Sequence, residues 1–137
     1  MDLTESLRAA LSPGGVLSQP EATAPYLVDW RGLYHGRALC VARPRNTREV
    51  AKVVALAAAS GVAIVPQGGN TGLTGGSVPD DAGTSVLLTL ERMDKIRSVD
   101  PANFTMTVEA GCILKKVQEA ASAADRLFPL SLTAEGS

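Results

Sequence analysis

From Ala38 to Val65 the chain alternates a short apolar run, an amphipathic helix and a second apolar run, and no other stretch restricts the fold as much. Ala38-Leu39-Cys40-Val41-Ala42 reads as a buried strand that Pro44 ends. Asn46 stands three residues before Glu49, a variant of the capping box with Asn in place of Ser or Thr. Val50, Val53, Val54, Ala57 and Ala58 then follow at helical spacing and predict one apolar face. Gly61 is placed to stop the helix in the left-handed conformation that a side chain disfavours. Val62–Val65 is the second strand. A helix between two strands crosses over the sheet, so residues 38–43 and 62–66 are expected to be adjacent and parallel, joined by the helix near 47–60.

The remaining elements follow the same patterns. Ser85–Leu90 is a further strand, and Ile96–Val99 and Phe104–Glu109 flank Asp100-Pro101-Ala102-Asn103, where Pro at the second turn position predicts a hairpin. Gly111 breaks the strand, and Ile113, Leu114, Val117, Ala120, Ala121 and Ala124 recur at helical spacing. Leu3–Leu11 is a short helix with Asp2 or Thr4 as cap, Ser12–Pro25 is loop by composition, and Tyr26–Gly36 has no assignable pattern. The sum is an α+β fold, a mixed sheet with a βαβ unit and a following hairpin, covered by two main helices. Hydrophobic residues make up 45% of the 137 but aromatics only 4%, so the core must be built of Val, Leu and Ala. Residues 1–35 are expected to be an N-terminal helix and lead-in segment, and 36–137 the binding domain proper. The loop-like end at Leu130–Ser137 suggests the front portion of a longer protein.

Composition excludes several functions. Net charge is −1 with both signs dispersed, so no basic stripe points to nucleic acid. Met1–Leu11 carries Asp2 and Glu5 and lacks the apolar core of a secretory signal, and no window approaches the roughly 20 apolar residues of a membrane span. A cytoplasmic location is expected, with peripheral attachment left open through parts of a longer chain. Cys40 and Cys112 have no zinc-type spacing and read as small buried residues, with a disulfide as the alternative. One His and no cluster of His and carboxylates give no metal site.

The segment that carries chemistry is Pro66-Gln67-Gly68-Gly69-Asn70-Thr71-Gly72-Leu73-Thr74-Gly75-Gly76-Ser77-Val78-Pro79. Five glycines fall within nine residues, directly after a strand. Glycine lets successive backbone N–H groups turn toward one point and make a nest for an anion, to which Thr71, Thr74 and Ser77 add hydroxyl donors. The loop matches neither the P-loop nor the GxGxxG pattern. No Lys or Arg occurs between Pro66 and Asp81, so any anion must be neutralised by backbone dipoles. By spacing alone, a flexible surface loop is an equal alternative.

The wording of the loop resembles the pyrophosphate loop of the PCMH-type FAD-binding domain in the vanillyl-alcohol oxidase and p-cresol methylhydroxylase superfamily. It is most similar there to the branch of glycolate oxidase FAD subunit, D-lactate dehydrogenase and D-2-hydroxyglutarate dehydrogenase. Tyr26–Tyr34 (Y-x-x-D-W-R-G-x-Y), Pro44–Val50, Val108-Glu109-Ala110-Gly111, Phe128-Pro129-Leu130 and Glu135-Gly136-Ser137 resemble that branch in order, so the likeness covers most of residues 26–137. The resemblance implies the first subdomain of such a domain. It implies FAD pyrophosphate on the backbone from Pro66 and Gln67 through Gly68, Gly69, Asn70 and Thr71. Gly72, Leu73, Gly75, Gly76 and Ser77 would line the same cavity, with Pro129, Glu135, Gly136 and Ser137 toward the flavin. Covalent relatives place a linking His directly after the two loop glycines. Asn70 stands there, which implies non-covalent FAD, with Cys112 as a second conceivable linker.

The function so implied is oxidation of a D-2-hydroxy acid to the 2-keto acid by a full-length flavin-dependent dehydrogenase or oxidase, with an electron acceptor as partner. Catalytic residues are expected outside these 137, so this chain alone is expected to show no turnover and to bind FAD weakly or not at all. Trp30 and Arg31 read as packing residues, with substrate contact as the alternative. Two other readings stand beside this one: a non-catalytic module that binds a phosphate ligand or a partner through the same loop, and another FAD branch such as the sugar-lactone oxidases.

Overall fold

The computed structural model describes residues 2–134 and 136, which divide into two compact units, up to Arg92 and from Met93. In the first unit the elements are α1 (Leu3–Ala10), β1 (Val16–Leu17), α2 (Pro20–Thr23), a 3-10 turn (Ala24–Tyr26), β2 (Cys40–Ala42), α3 (Thr47–Ala59), β3 (Ile64–Gln67) and β4 (Val86–Thr89). The second holds β5 (Ile96–Asp100), β6 (Thr105–Val108) and α4 (Leu114–Ala123).

The first unit is a four-stranded mixed sheet in the order β1-β2-β4-β3. β1 runs antiparallel to β2, while β2 and β3 both run parallel to β4. The strands flanking α3 are therefore parallel, as expected, but they are not adjacent, because β4 lies between them. The chemistry of the strands explains the order. All four residues of β4 are buried, which suits a strand with neighbours on both sides. β3 contains Pro66, which has no N–H to give a second neighbour, and it takes an outer place with Pro66 opposite Leu88. β1 lies in the stretch read as loop; two residues are too few to leave a pattern in sequence.

Side chains alternate across a strand, so Cys40, Ala42, Val86 and Leu88 share one face, and there they meet Leu3, Leu7 and Leu11 from the α1 segment, Val16 and Val53. α3 begins as its sequence foretells: Asn46 accepts the Glu49 N–H at 2.9 Å. The Glu49 carboxylate does not return to Asn46 but accepts from the backbone N–H of Arg45 (2.9 Å) and of Ser12 (3.1 Å), tying the helix start to the end of α1. The buried stripe of α3 is Glu49, Val53 and Ala57, with Val50 and Leu56 partly buried against the core. Val54 and Ala58, expected on that face, are exposed, because the Glu49 anchor rotates the stripe toward i, i+4, i+8. Gly61 ends the helix with φ +65°.

The second unit is the expected hairpin, β5 antiparallel to β6, followed by α4, which buries Val117 and Ala121. Asp100 organises the turn by accepting from the N–H groups of Ala102 and Asn103 and from the Asn103 amide. The two main helices thus fall one in each unit. Both cysteines are free, Cys40 buried and Cys112 half-buried.

Candidate functional site

The glycine-rich loop leaves the carboxyl end of β3, beside the carboxyl end of the parallel strand β4. In parallel sheets the crevice outside those ends is where ligands bind. Gln67 closes β3 opposite Thr89 and is buried. Its side-chain amide donates to the Tyr26 carbonyl and to the Ser77 carbonyl, both at 2.9 Å. One residue therefore fixes the end of the loop against its beginning and joins both to the lead-in segment.

Asn70 adopts the left-handed conformation, φ +54°, which Asn tolerates better than most residues. Its amide donates to the Val28 carbonyl at 2.7 Å and its Oδ1 accepts from the Ser77 hydroxyl at 2.8 Å. The side chains of Gln67, Asn70 and Ser77 are thus committed to holding the loop. The exposed residues of the loop are Gly68, Gly69, Thr71, Gly72, Leu73, Thr74 and Gly76, four of the seven being glycine.

The glycines divide into two kinds. Gly75 has φ +76°, and a Cβ there would lie 2.7 Å from the Tyr34 ring, so the fold requires glycine at that position. Gly68, Gly72 and Gly76 have no positive φ, and a Cβ on any of them would meet nothing within 4 Å. Neither backbone strain nor neighbouring atoms account for glycine at those three positions.

The segment from Leu27 to Gly36, whose structure the sequence left open, is a clasp around this loop. Val28 bridges His35 in antiparallel fashion, and the Gly36 N–H donates to the Leu27 carbonyl at 2.8 Å. Asp29 is buried, and its Oδ1 accepts from the backbone N–H of Leu33 (2.7 Å) and Tyr34 (2.8 Å). The Tyr34 N–H above all, with those of Leu33 and Arg31 and the Arg31 charge, outweighs burial and holds the Asp29 carboxyl below the usual carboxylate range. Gly36 lies so close to the far end of the loop that a Cβ would sit 1.9 Å from the Pro79 carbonyl oxygen. Arg31 reaches the loop directly, donating to the Leu73 carbonyl. Trp30, expected to pack, is 66% exposed. The signal for the clasp was present in Asp29 and Gly36, a turn-forming Asx and a glycine at a close approach, but its partners lie some forty residues away and no local pattern names them.

Pro66 and Gln67 therefore end β3, and Gly68 through Ser77 follow as one loop. Pro129 and Gly136 lie in the second unit, both exposed, and Glu135 and Ser137 are outside the described residues. Among the described residues no group of three His, Cys, Asp or Glu is arranged to hold a metal ion, and no helix is long and apolar enough to cross a membrane.

Known proteins are similar to this chain in sequence and in fold. The probable mitochondrial D-2-hydroxyglutarate dehydrogenase of Oryza sativa subsp. indica is 37% identical over 130 residues, covering 95% of this chain and 23% of the relative. The D-2-hydroxyglutarate–pyruvate transhydrogenase of Saccharomyces cerevisiae is 34% identical over 127 residues, covering 91% of this chain and 25% of the relative. The chain thus spans about a quarter of the length of these relatives. Among solved structures, p-cresol methylhydroxylase with substrate bound superposes with a TM-score of 0.76 at 22% identity, over 90% of this chain and 24% of that one. An alkyldihydroxyacetonephosphate synthase superposes at 0.78 and 21% identity, over 88% of this chain and 24% of that one. At such identities the structures establish the fold, which is that of a PCMH-type FAD-binding domain. The model of the FAD binding domain family matches residues 38–136, from β2 through the glycine loop to the end of the described chain, and the protein belongs to that family.

Proposed function

We propose that the backbone from Pro66 through Thr71, with Gly72, Leu73, Gly75, Gly76 and Ser77, holds the pyrophosphate of non-covalently bound FAD in the front part of an oxidoreductase acting on a D-2-hydroxy acid. The observation that carries this reading is the open space at Gly68, Gly72 and Gly76. A Cβ there would meet no neighbouring atom, yet none is present, which is the expectation where a ligand lies against the backbone. A pyrophosphate suits a glycine-rich loop that lets a ligand approach the backbone at the carboxyl end of parallel strands. Residues 1–35 serve in this reading as the lead-in that braces the loop, and 36–137 as the binding domain.

Bound FAD supplies the acceptor for a hydride from the carbinol carbon. This chain's residues orient it: Gln67, Asn70 and Ser77 fix the loop, and the loop fixes the phosphates. Asn70 occupies the place of a linking histidine, and its amide is hydrogen-bonded at both ends. Pro129, Glu135, Gly136 and Ser137 are assigned to the flavin side by resemblance. The hydroxy-acid substrate follows the names of the relatives, the D-2-hydroxyglutarate dehydrogenases, and the electron acceptor is supplied by the whole protein's partners. A cytoplasmic location is the reading of the first residues, whereas several relatives are named mitochondrial; cell fractionation decides between the two.

The test compares FAD with riboflavin, which has the same ring system and no phosphate. Fluorescence titration is expected to give at least tenfold tighter binding of FAD. Equal affinities would place the recognition on the ring and remove the loop from the account. Acid precipitation of the full-length protein is expected to leave the flavin in the supernatant.

A further inference from the structure

We propose that Arg31 is a positioning residue for the cofactor: anchored on Asp29, it takes the Leu73 carbonyl and so sets the orientation of the Leu73–Thr74 peptide in the phosphate loop. The inference rests on the reading of the loop as a pyrophosphate site and goes beyond it, because it assigns a role to a residue some forty positions upstream.

The loop has no cation of its own between Pro66 and Asp81. Among its described contacts, Arg31 brings one to it, donating from its guanidinium to the Leu73 carbonyl, while its Nε lies 3.8 Å from Asp29 Oδ2. Asp29 is held in place independently of the Arg31 side chain. Its Oδ1 takes the N–H groups of Leu33 and Tyr34, whereas its Oδ2 is buried with no hydrogen bond. A buried carboxylate oxygen without a donor is costly unless a cation stands near, so Arg31 is drawn to this spot whether or not the loop is there. The guanidinium is rigid and planar, so fixing one edge on Asp29 aims the other.

The consequence for the loop follows from the trans peptide. Carbonyl and N–H of one peptide point to opposite sides, so pinning the Leu73 carbonyl on Arg31 turns the Thr74 N–H away from Arg31. It also removes a carbonyl oxygen that would repel an anion if the peptide flipped. Elsewhere in this outer half, Gly75 is packed on Tyr34 and donates nothing from a side chain. Leu73 itself is 54% exposed and gives the loop no hydrophobic anchor. Arg31 therefore does for residues 72–76 what Gln67 and Asn70 do for the two ends.

The experiment uses the 137-residue chain and its R31A, R31K and D29N variants, with inorganic pyrophosphate as the probe. Amide shifts and hydrogen exchange are followed by NMR. R31A is expected to speed exchange of the loop amides at 72–76 at least tenfold while those of β4 stay protected. It is also expected to weaken pyrophosphate at least tenfold, and R31K, which keeps the charge without the planar fork, to recover only a minor part of both losses. D29N is the discriminating variant. It removes a negative charge near an anion site, so simple charge attraction predicts tighter pyrophosphate; positioning predicts weaker binding, because the anchor of Arg31 is lost. Tighter binding in D29N, or unchanged loop exchange in R31A, overturns the proposal. Loss of β4 protection together with the loop would reduce Arg31 to a general stabiliser and overturns it too. If the wild-type loop shows no response to pyrophosphate, the phosphate reading itself fails and the cofactor role falls with it; the exchange data then report separately whether Arg31 orders the loop.

Discussion

The central strand β4 and the exposed rim of the glycine loop lie in the same unit and are determined in opposite ways. In β4 every residue is buried, and Leu87 is completely so. Its identity is dictated by the atoms around it. On the rim, Gly68, Gly72 and Gly76 are exposed, free of positive φ and free of neighbours where a Cβ would go. Nothing among the described residues dictates them. Residues that packing explains report on the fold, and residues that packing leaves unexplained report on what the fold is for. Between the two stand Gly36 and Gly75, which are glycine because the clasp and the loop touch.

This contrast breaks down if substitutions in the two regions behave alike. The largest effect is expected in the strand: Leu87→Ala should cost about 2–5 kcal/mol, the range for emptying a well-packed site. Urea denaturation that gives less than ~1 kcal/mol would mean the sheet is not packed as described. At the seam, Gly36→Ala drives a Cβ into the Pro79 carbonyl, and Gly75→Ala combines a strained φ with contact on the Tyr34 ring. Each should cost about 1–3 kcal/mol, read from the same denaturation curves. Away from the site, Asn46→Ala removes the cap of α3 and should cost about 1 kcal/mol without altering ligand binding.

A gentler perturbation is acid. For Glu49, burial pushes the carboxyl up, but the N–H groups of Arg45 and Ser12, the Ser12 hydroxyl and the Arg92 charge outweigh it and hold it below its ordinary value of 4.5. In the second unit, the Lys95 N–H first, with burial opposing and Arg97 assisting, lowers Glu109 in the same way. Asp29 lies below its ordinary 3.8. A carboxyl with a folded-state pKa below its unfolded value stabilises the fold above the unfolded pKa and loses that contribution as pH falls through the folded one. Stability should therefore be flat above about pH 5 and decline below about pH 4.5. Replacing Glu49 by Gln should flatten the decline, and a thermal melt series across pH checks this. A decline of the same size in the variant would remove Glu49 from the account.

Much of this was legible from the sequence because it is local. The strand–helix–strand order, the Asn46 cap, the Gly61 stop, the Asp100-Pro101 turn and the glycine loop are each written within a few consecutive residues. The order of strands was not, although the all-apolar Val86-Leu87-Leu88 and the proline in β3 distinguished a central strand from an outer one. The exposed side of α3 was misplaced because Glu49, a charged residue, occupies the buried stripe. The clasp was out of reach for a different reason: Asp29, Arg31, Tyr34 and Gly36 act on Asn70 to Pro79 through long-range contacts, and sequence spacing carries no record of them.

The smallest expected effect on stability carries the largest on binding. Gly68→Ala, Gly72→Ala and Gly76→Ala combined should change stability by no more than a few tenths of a kcal/mol per site, as for surface substitutions without packing consequences. The direct measurement is FAD titrated into the 137-residue chain and into this triple variant, with amide shifts recorded by NMR, which detects even millimolar binding. In the wild type, amides between Gly68 and Ser77 should shift together along one binding curve, even where that binding is too weak to saturate. In the triple variant, folded to the same extent, those shifts should be absent at the same FAD concentrations. Unmoved loop amides in the wild type, or a triple variant that binds FAD as well as the wild type, would contradict the claim that these glycines are there for the cofactor.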